Sequence, residues 1–279
     1  MTQHIFLAGW EVRLNGDAQC EAFIRTQSVA KDVAEVLSSA TELIFEEGVL
    51  IAAYTLEEGE RSERILRMDE KGLPWVNVSP NKSLVFEGGG PHLLGGVWPE
   101  SLKVPKVDCA TSFQYVGCIK RTEPAFGWLP HDLHLVCPIY LAFDRLLMDY
   151  VDPLGPVVYN TNEIAEAESS FDEVGPDSLI EFHGRSFNFI ESIERIGQGF
   201  AGFPAWIQYP SIPRCPKTGN VMRFVCQLSG GAVVARSNIV PSDDYNATCF
   251  EDLNFWEDGD LYVFFEPSSK MACYIIQNT

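Results

Sequence analysis

The chain has 279 residues and no apolar run near the roughly 18 that a membrane-crossing helix needs. Its opening, Met1-Thr2-Gln3-His4-Ile5-Phe6, lacks a basic stretch leading into a long apolar one. No secretory signal is therefore expected, and the expected location is the cytoplasm. Positive charge is also scarce: 20 Lys and Arg stand against 39 Asp and Glu, a formal net charge of -19. Phosphate backbones are gripped by clustered cations, so this balance argues against nucleic acid as a partner and suits basic ones, although simple solubility is the better explanation of the acidity when charge is taken alone. Familiar catalytic signatures are missing. There is no Gly-x-Ser-x-Gly nucleophile elbow. The glycines Gly88-Gly89-Gly90 and Gly95-Gly96 are not followed by Gly-Lys-Ser or Gly-Lys-Thr, so they are expected to serve turns rather than phosphates.

What is present is enough for a large core. Hydrophobic residues make up 46% and charged residues 21%, the balance of a folded globular chain. The eight cysteines are scattered, mostly within apolar runs such as Phe224-Val225-Cys226. Disulfide frameworks belong to small secreted domains, so these thiols are expected to be free and buried. Residues 1–80 suggest a small α+β region. A strand over Ile5 to Leu14 would end at Asn15-Gly16, Ser28 would cap a helix over Val29 to Ser39, and a strand over Leu50 to Leu56 would meet the charged turn Glu57-Glu58-Gly59-Glu60. Residues 164–180 are acidic and suggest a connector.

On either side of that connector, three landmarks recur in order. Gly95-Gly96-Val97-Trp98-Pro99 answers to Gly202-Phe203-Pro204-Ala205-Trp206. The alternating run Phe113 to Ile119 answers to Met222 to Leu228. Trp128-Leu129-Pro130-His131-Asp132-Leu133 answers to Trp256-Glu257-Asp258-Gly259-Asp260-Leu261, with Trp, Asp and Leu at identical spacing. The expected fold is therefore mainly β (α+β overall): an internally duplicated antiparallel β unit with a small α+β N-terminal region. The first repeat would span 81–163 and the second 181–279, packed about a pseudo-twofold.

The second copy carries Gly202 to Gln208, Pro213-Arg214-Cys215-Pro216, Met222 to Leu228 and Trp256 to Phe264. In these residues the chain resembles the YwqG-like family of unknown function and, more distantly, the C-terminal region of the programmed-cell-death-protein-2 group. The resemblance covers roughly residues 85 to 279. It implies a β-rich, internally duplicated fold, and its eukaryotic branch implies a chaperone of a basic ribosomal protein. Many relatives carry Cys-Pro-x-Cys-Gly in the second copy. Here Thr218 replaces the second thiol, which argues against zinc.

Other candidates weaken on inspection. His131, His134 and Cys137 would share a helical face, but the repeat places them on a strand, where positions three apart point to opposite faces. Cys215 has basic neighbours in Arg214 and Lys217 but no suggested histidine. Glu257, Asp258 and Asp260 are expected to be a solvated turn. Trp98, Trp128, Trp206 and Trp256 sit at turns, more suited to plugging the end of a sandwich than to anchoring a partner. If a binding site exists, Trp206, Gln208, Gln227, Trp256 and Asp260 are its candidates. The expected function is non-catalytic protein binding, chaperone-like or protective toward a basic client. The alternatives are a toxin-neutralising immunity protein, an unrecognised hydrolase, or a degenerate metal-binding enzyme. No cofactor or metal is expected.

Overall fold

The structure, a computed structural model, describes residues 2–8, 11–14, 42–46, 49–57, 60–64, 82–86, 88–169, 174–191, 198–202, 204, 207–208, 211, 213–220, 222–233, 250–256 and 258–279. Among these, the N-terminal strands are β1 (Thr2–Ala8), β2 (Glu11–Leu14), β3 (Glu42–Glu46), β4 (Val49–Glu57) and β5 (Glu60–Arg64). They form an antiparallel sheet in the order β2-β1-β3-β4-β5. The single strand expected over Ile5 to Leu14 is corrected. It is a hairpin that pairs Ala8 with Glu11 and Ile5 with Leu14. The intervening sequence is Gly9-Trp10, and glycine first in a two-residue connection favours a hairpin. The expected strand over Leu50 to Leu56 is β4, and Glu57 lies opposite Glu60 across the charged turn. The helix expected over Val29 to Ser39 lies outside the described residues.

The rest of the described chain is one large sheet. Its strands are β6 (Lys82–Val85), β7 (His92–Gly96), β8 (Gln114–Ile119), β9 (Leu133–Cys137), β10 (Leu146–Asp149), β11 (Val157–Val158), β12 (Phe182–Glu191), β13 (Gly199–Ala201), β14 (Arg223–Ser229), β15 (Asp260–Glu266) and β16 (Met271–Gln277). A short helix, α1 (Thr161–Glu166), opens the connector between the two similar stretches. The strand order is β11-β10-β16-β15-β14-β13-β6-β12-β7-β8-β9. No helix among the described residues is long and apolar enough to cross a membrane.

The register of this sheet follows the sequence alignment residue for residue. In β8 and β9, Gly117 faces Leu135, Cys118 faces His134 and Ile119 faces Leu133. In β14 and β15 the aligned residues do the same: Cys226 faces Val263, Gln227 faces Tyr262 and Leu228 faces Leu261. Each pair carries its register shift at the aligned valine, Val116 or Val225. Outside these hairpins the match continues. Leu93 pairs with Ser186 on β12, and its counterpart Phe200 pairs with Ser83 on β6. Gly95 and Gly202, aligned in the first landmark, both have positive φ. The correspondence of Ser83 with Ser186 makes Val85 equivalent to Asn188, and those two residues face each other where β6 meets β12. The approximate twofold axis therefore passes between β6 and β12.

Each copy's first strand lies against the other copy's second strand: β6 beside β13, and β12 beside β7. A later strand of the first copy, β10, likewise pairs with β16 of the second. The copies thus merge edge to edge into one curled sheet instead of stacking face to face as a sandwich. The physical reason lies in the strand edges, because the β6–β12 pairing lets both hairpins continue a single hydrogen-bonded ladder.

The concave side holds the main core, including Leu94, Leu135, Phe187, Leu261, Val263, Phe265 and Tyr274, all at 0% exposure. Each such large side chain contributes roughly 1.5–3 kcal/mol of burial. In β15 the alternate residues are buried as well, Tyr262, Phe264 and Glu266 included. The outer side of the second hairpin is therefore also covered, and the strand has the near-continuous apolar run of a doubly buried one.

Curling brings the terminal strand β9 close to β10 and β16. Backbone pairing does not close that gap. Two tyrosines do. The Tyr150 hydroxyl donates to the His134 carbonyl at 2.6 Å and lies 2.6 Å from the Tyr274 hydroxyl. The Val136 backbone also hydrogen-bonds the pair. Trp128 packs over the same seam, its ring 6.4 Å from that of Phe265 and 4.1 Å from the Arg223 guanidinium.

Candidate functional site

The sequence candidates fall on the outer side of the second hairpin. Gln227 on β14 and Asp260 at the start of β15 are both buried, and the Gln227 amide donates to the Asp260 carboxylate. Ser229, directly opposite Asp260, bonds the same carboxylate. Residues 207–208 cross this face as a strap. The Ile207 N–H donates to the Tyr262 hydroxyl at 3.1 Å, and the Gln208 N–H donates to the side chain of Gln277, the β16 residue opposite Asp260. The Gln208 side chain itself turns outward to the Asn278 carbonyl at 2.8 Å.

The structure therefore joins Gln227 to Asp260, while Gln208 crosses the same face and bonds Gln277 and Asn278. Asp260 is not part of a solvated turn. It is 9% exposed and belongs to the strand, because its partners Gln227 and Ser229 replace water around the carboxylate. Trp256 is half-buried at the preceding turn, with φ 60. Trp206 lies outside the described residues.

Burial raises the Asp260 pKa above the ordinary aspartate range, with the neighbouring Asp258 charge adding to it and the Ser229 and Gln227 bonds opposing it. The folded state therefore holds this proton more tightly than the unfolded chain. Stability should fall as pH rises from the ordinary aspartate value through the raised one, and be flat above it. Asp260→Asn keeps an acceptor for Gln227 and removes the buried charge. Its melting temperature is expected to equal or exceed wild type at neutral pH and to lose this acid dependence. A large drop at every pH would show that the charge itself is required.

The first hairpin has polar residues at the same register positions; Asp132, His134 and Cys118 were already aligned or weighed in the sequence, whereas Lys120 was not. Cys118 stands where Gln227 does, Lys120 where Ser229 does, Asp132 where Asp260 does and His134 where Tyr262 does. Lys120 Nζ meets Asp132 at 2.9 Å, the Arg121 N–H donates to the same carboxylate at 3.1 Å, and the Tyr115 hydroxyl lies 3.1 Å from His134 Nδ1. Burial pushes the Cys118 thiol up to about 11, with the Asp132 charge reinforcing it against Lys120. Burial, aided by Lys120, lowers the pKa of His134. A protonated thiol beside a neutral imidazole is a poor nucleophilic pair.

The expected opposition of His134 and Cys137 holds: His134 is half-buried on the outer face, whereas Cys137 is fully buried in the core. His131 sits in the preceding turn with Nδ1 bonded to the Asp132 carbonyl at 2.8 Å. Cys109, Cys118, Cys137, Cys215, Cys226 and Cys273 are free and buried. The Cys215 thiol rests 3.1 Å from the Ser269 hydroxyl, and the Thr218 hydroxyl accepts from the Asn220 N–H. Among the described residues no three His, Cys, Asp or Glu side chains converge as a ligand set.

His92 was not singled out from the sequence. It is 1% exposed, boxed by the rings of Phe126, Phe187 and Phe189, accepts the Lys120 N–H at Nδ1 and bonds Glu123 through Nε2. With Nδ1 accepting, the Nε2–H donates to the carboxylate. This enclosure makes it a core histidine that ties β7 to the 120–123 turn. The tryptophans behave similarly: Trp98 donates to the Leu102 carbonyl, and both Trp98 and Trp128 pack against the core.

The fold so defined is a curled antiparallel sheet built from two register-matched halves. No family model matches the chain, and no curated protein or solved structure does either.

Proposed function

We propose that this protein is a non-catalytic binding module for a basic protein client, acting as a chaperone-like or protective partner in the cytoplasm. The observation that carries the reading is the net charge of -19, which draws a cationic partner and repels polyanions. The side-chain chemistry supports it. The described cysteines are buried, and Gln227 with Asp260 and Lys120 with Asp132 pair within their own hairpins. The resemblance to YwqG-like proteins fits the same reading.

The test is a pull-down with tagged protein at low salt, eluted by a salt gradient and identified by mass spectrometry. One dominant basic partner released as salt screens the charges is the expected result. Partners without basic character, or binding indifferent to salt, would refute the reading.

A further inference from the structure

The large sheet has two terminal strands, and they are treated differently. At β9 the Tyr150 hydroxyl caps the His134 carbonyl. At β11 the neighbour on one side is β10, and β11 ends the strand order on the other. The large apolar side chains exposed among the described residues concentrate here. Val151, Leu154, Val157 and Tyr159 all lie in or beside the β10–β11 hairpin, at 61%, 37%, 57% and 46% exposure. Val104 joins them, because the Lys103 N–H donates to the Leu154 carbonyl at 2.8 Å. Within the strand the pattern alternates: Val157 and Tyr159 point out while Val158 is buried. That is a short strand edge with an apolar outer face, the kind of edge to which an extended chain adds.

The charge around it selects the occupant. Lys103 and Lys217 are already paired with Asp152 and Asp149. The Arg145 guanidinium donates to the Ser211 hydroxyl at 3.2 Å. The connector that leaves β11 then presents Glu163, Glu166 and Glu168, all exposed. An apolar edge flanked by this acidic run suits a segment that alternates apolar and cationic residues.

We infer that the outer edge of β11, which pairs with no further strand among the described residues, is a docking surface for an extended, basic segment of a partner protein, which adds as a further strand. Its apolar side chains cover Val157 and Tyr159, and its cations face Glu163 and Glu166. The inference rests on the client-binding reading above and assigns it a place.

The full chain should be titrated with a labelled peptide of about ten alternating lysine and valine residues, long enough for one strand. A second peptide of the same composition, with central residues replaced by proline, cannot pair with an edge. The alternating peptide is expected to bind and the proline peptide to fail. Val157→Asp should weaken binding about tenfold or more, as loss of a central apolar anchor does. Glu163→Gln with Glu166→Gln should weaken it less and flatten its salt dependence. Ile190→Asp, at an exposed position on the interior strand β12, should leave binding unchanged, and melting curves check that each variant folds.

Equal binding of the proline peptide, or binding untouched by Val157→Asp, overturns the edge while leaving basic-client binding standing. Binding of neither peptide, in a protein that still captures a basic partner in the salt-gradient experiment, also overturns the edge alone. Failure of both experiments overturns both readings. A concentration-dependent dimer in sedimentation that Val157→Asp abolishes assigns the edge to a second copy of this chain and overturns the partner proposed here.

Discussion

Gly117→Ala should be among the most damaging single-methyl changes available in the described chain, at a cost of about 4 kcal/mol from strain and overlap together. Gly117 lies on β8 immediately after the register shift and has φ +147. A Cβ built there would stand 2.1 Å from the Leu93 carbonyl oxygen, and the obstacle is backbone of the neighbouring strand β7, which no rotamer change can move aside. The aligned residue in the second half is Cys226, so the restriction belongs to the first hairpin alone. Urea unfolding of the variant should show a midpoint far below wild type or no folded baseline. A loss under 1 kcal/mol would mean that β7 and β8 separate more easily than their register suggests.

The second large effect is expected at the seam between β9 and β16. Tyr150→Phe and Tyr274→Phe each remove one hydroxyl from a buried pair, and each should cost about 1–3 kcal/mol, because a buried backbone carbonyl or hydroxyl loses its partner. The double variant should cost less than the sum, since the two hydroxyls bond each other and both act on one stretch of β9. Strict additivity in denaturant melts would indicate that the two oxygens act independently and that the seam is held by ring packing around Phe265 alone.

The sequence made much of this architecture legible. The alignment of Trp128-to-Leu133 with Trp256-to-Leu261 locates equivalent strands, and the register of the sheet follows it. Alternation located these strands, but the half-buried face it implies is corrected, because β8 and β15 are buried on both sides. The exchange of first strands was not legible. Which neighbour Lys82–Val85 selects depends on ladder geometry between segments far apart in the chain, and no local pattern encodes it. The site was read less well. Gln227 and Asp260 were picked out and do meet, but their burial beneath residues 207–208 could not be seen from turn-like composition. In the first hairpin Asp132 and His134 were legible as candidates, but their partner Lys120 was not, because it stands where the second hairpin has Ser229. His92 escaped because its aromatic box is drawn from β12 and the 124–126 turn.

The interleaving of the halves also has a consequence for synthesis. When β6 leaves the ribosome, the strand it will lie against, β13, has not been made, and β10 must wait for β16 at the far end of the chain. The nascent first half therefore carries unpaired strand edges and exposed core side chains for most of its translation. Holding factors that shield nascent chains should matter more for this protein than for one whose halves fold independently, and truncation within β16 should leave an aggregating species instead of a folded first half.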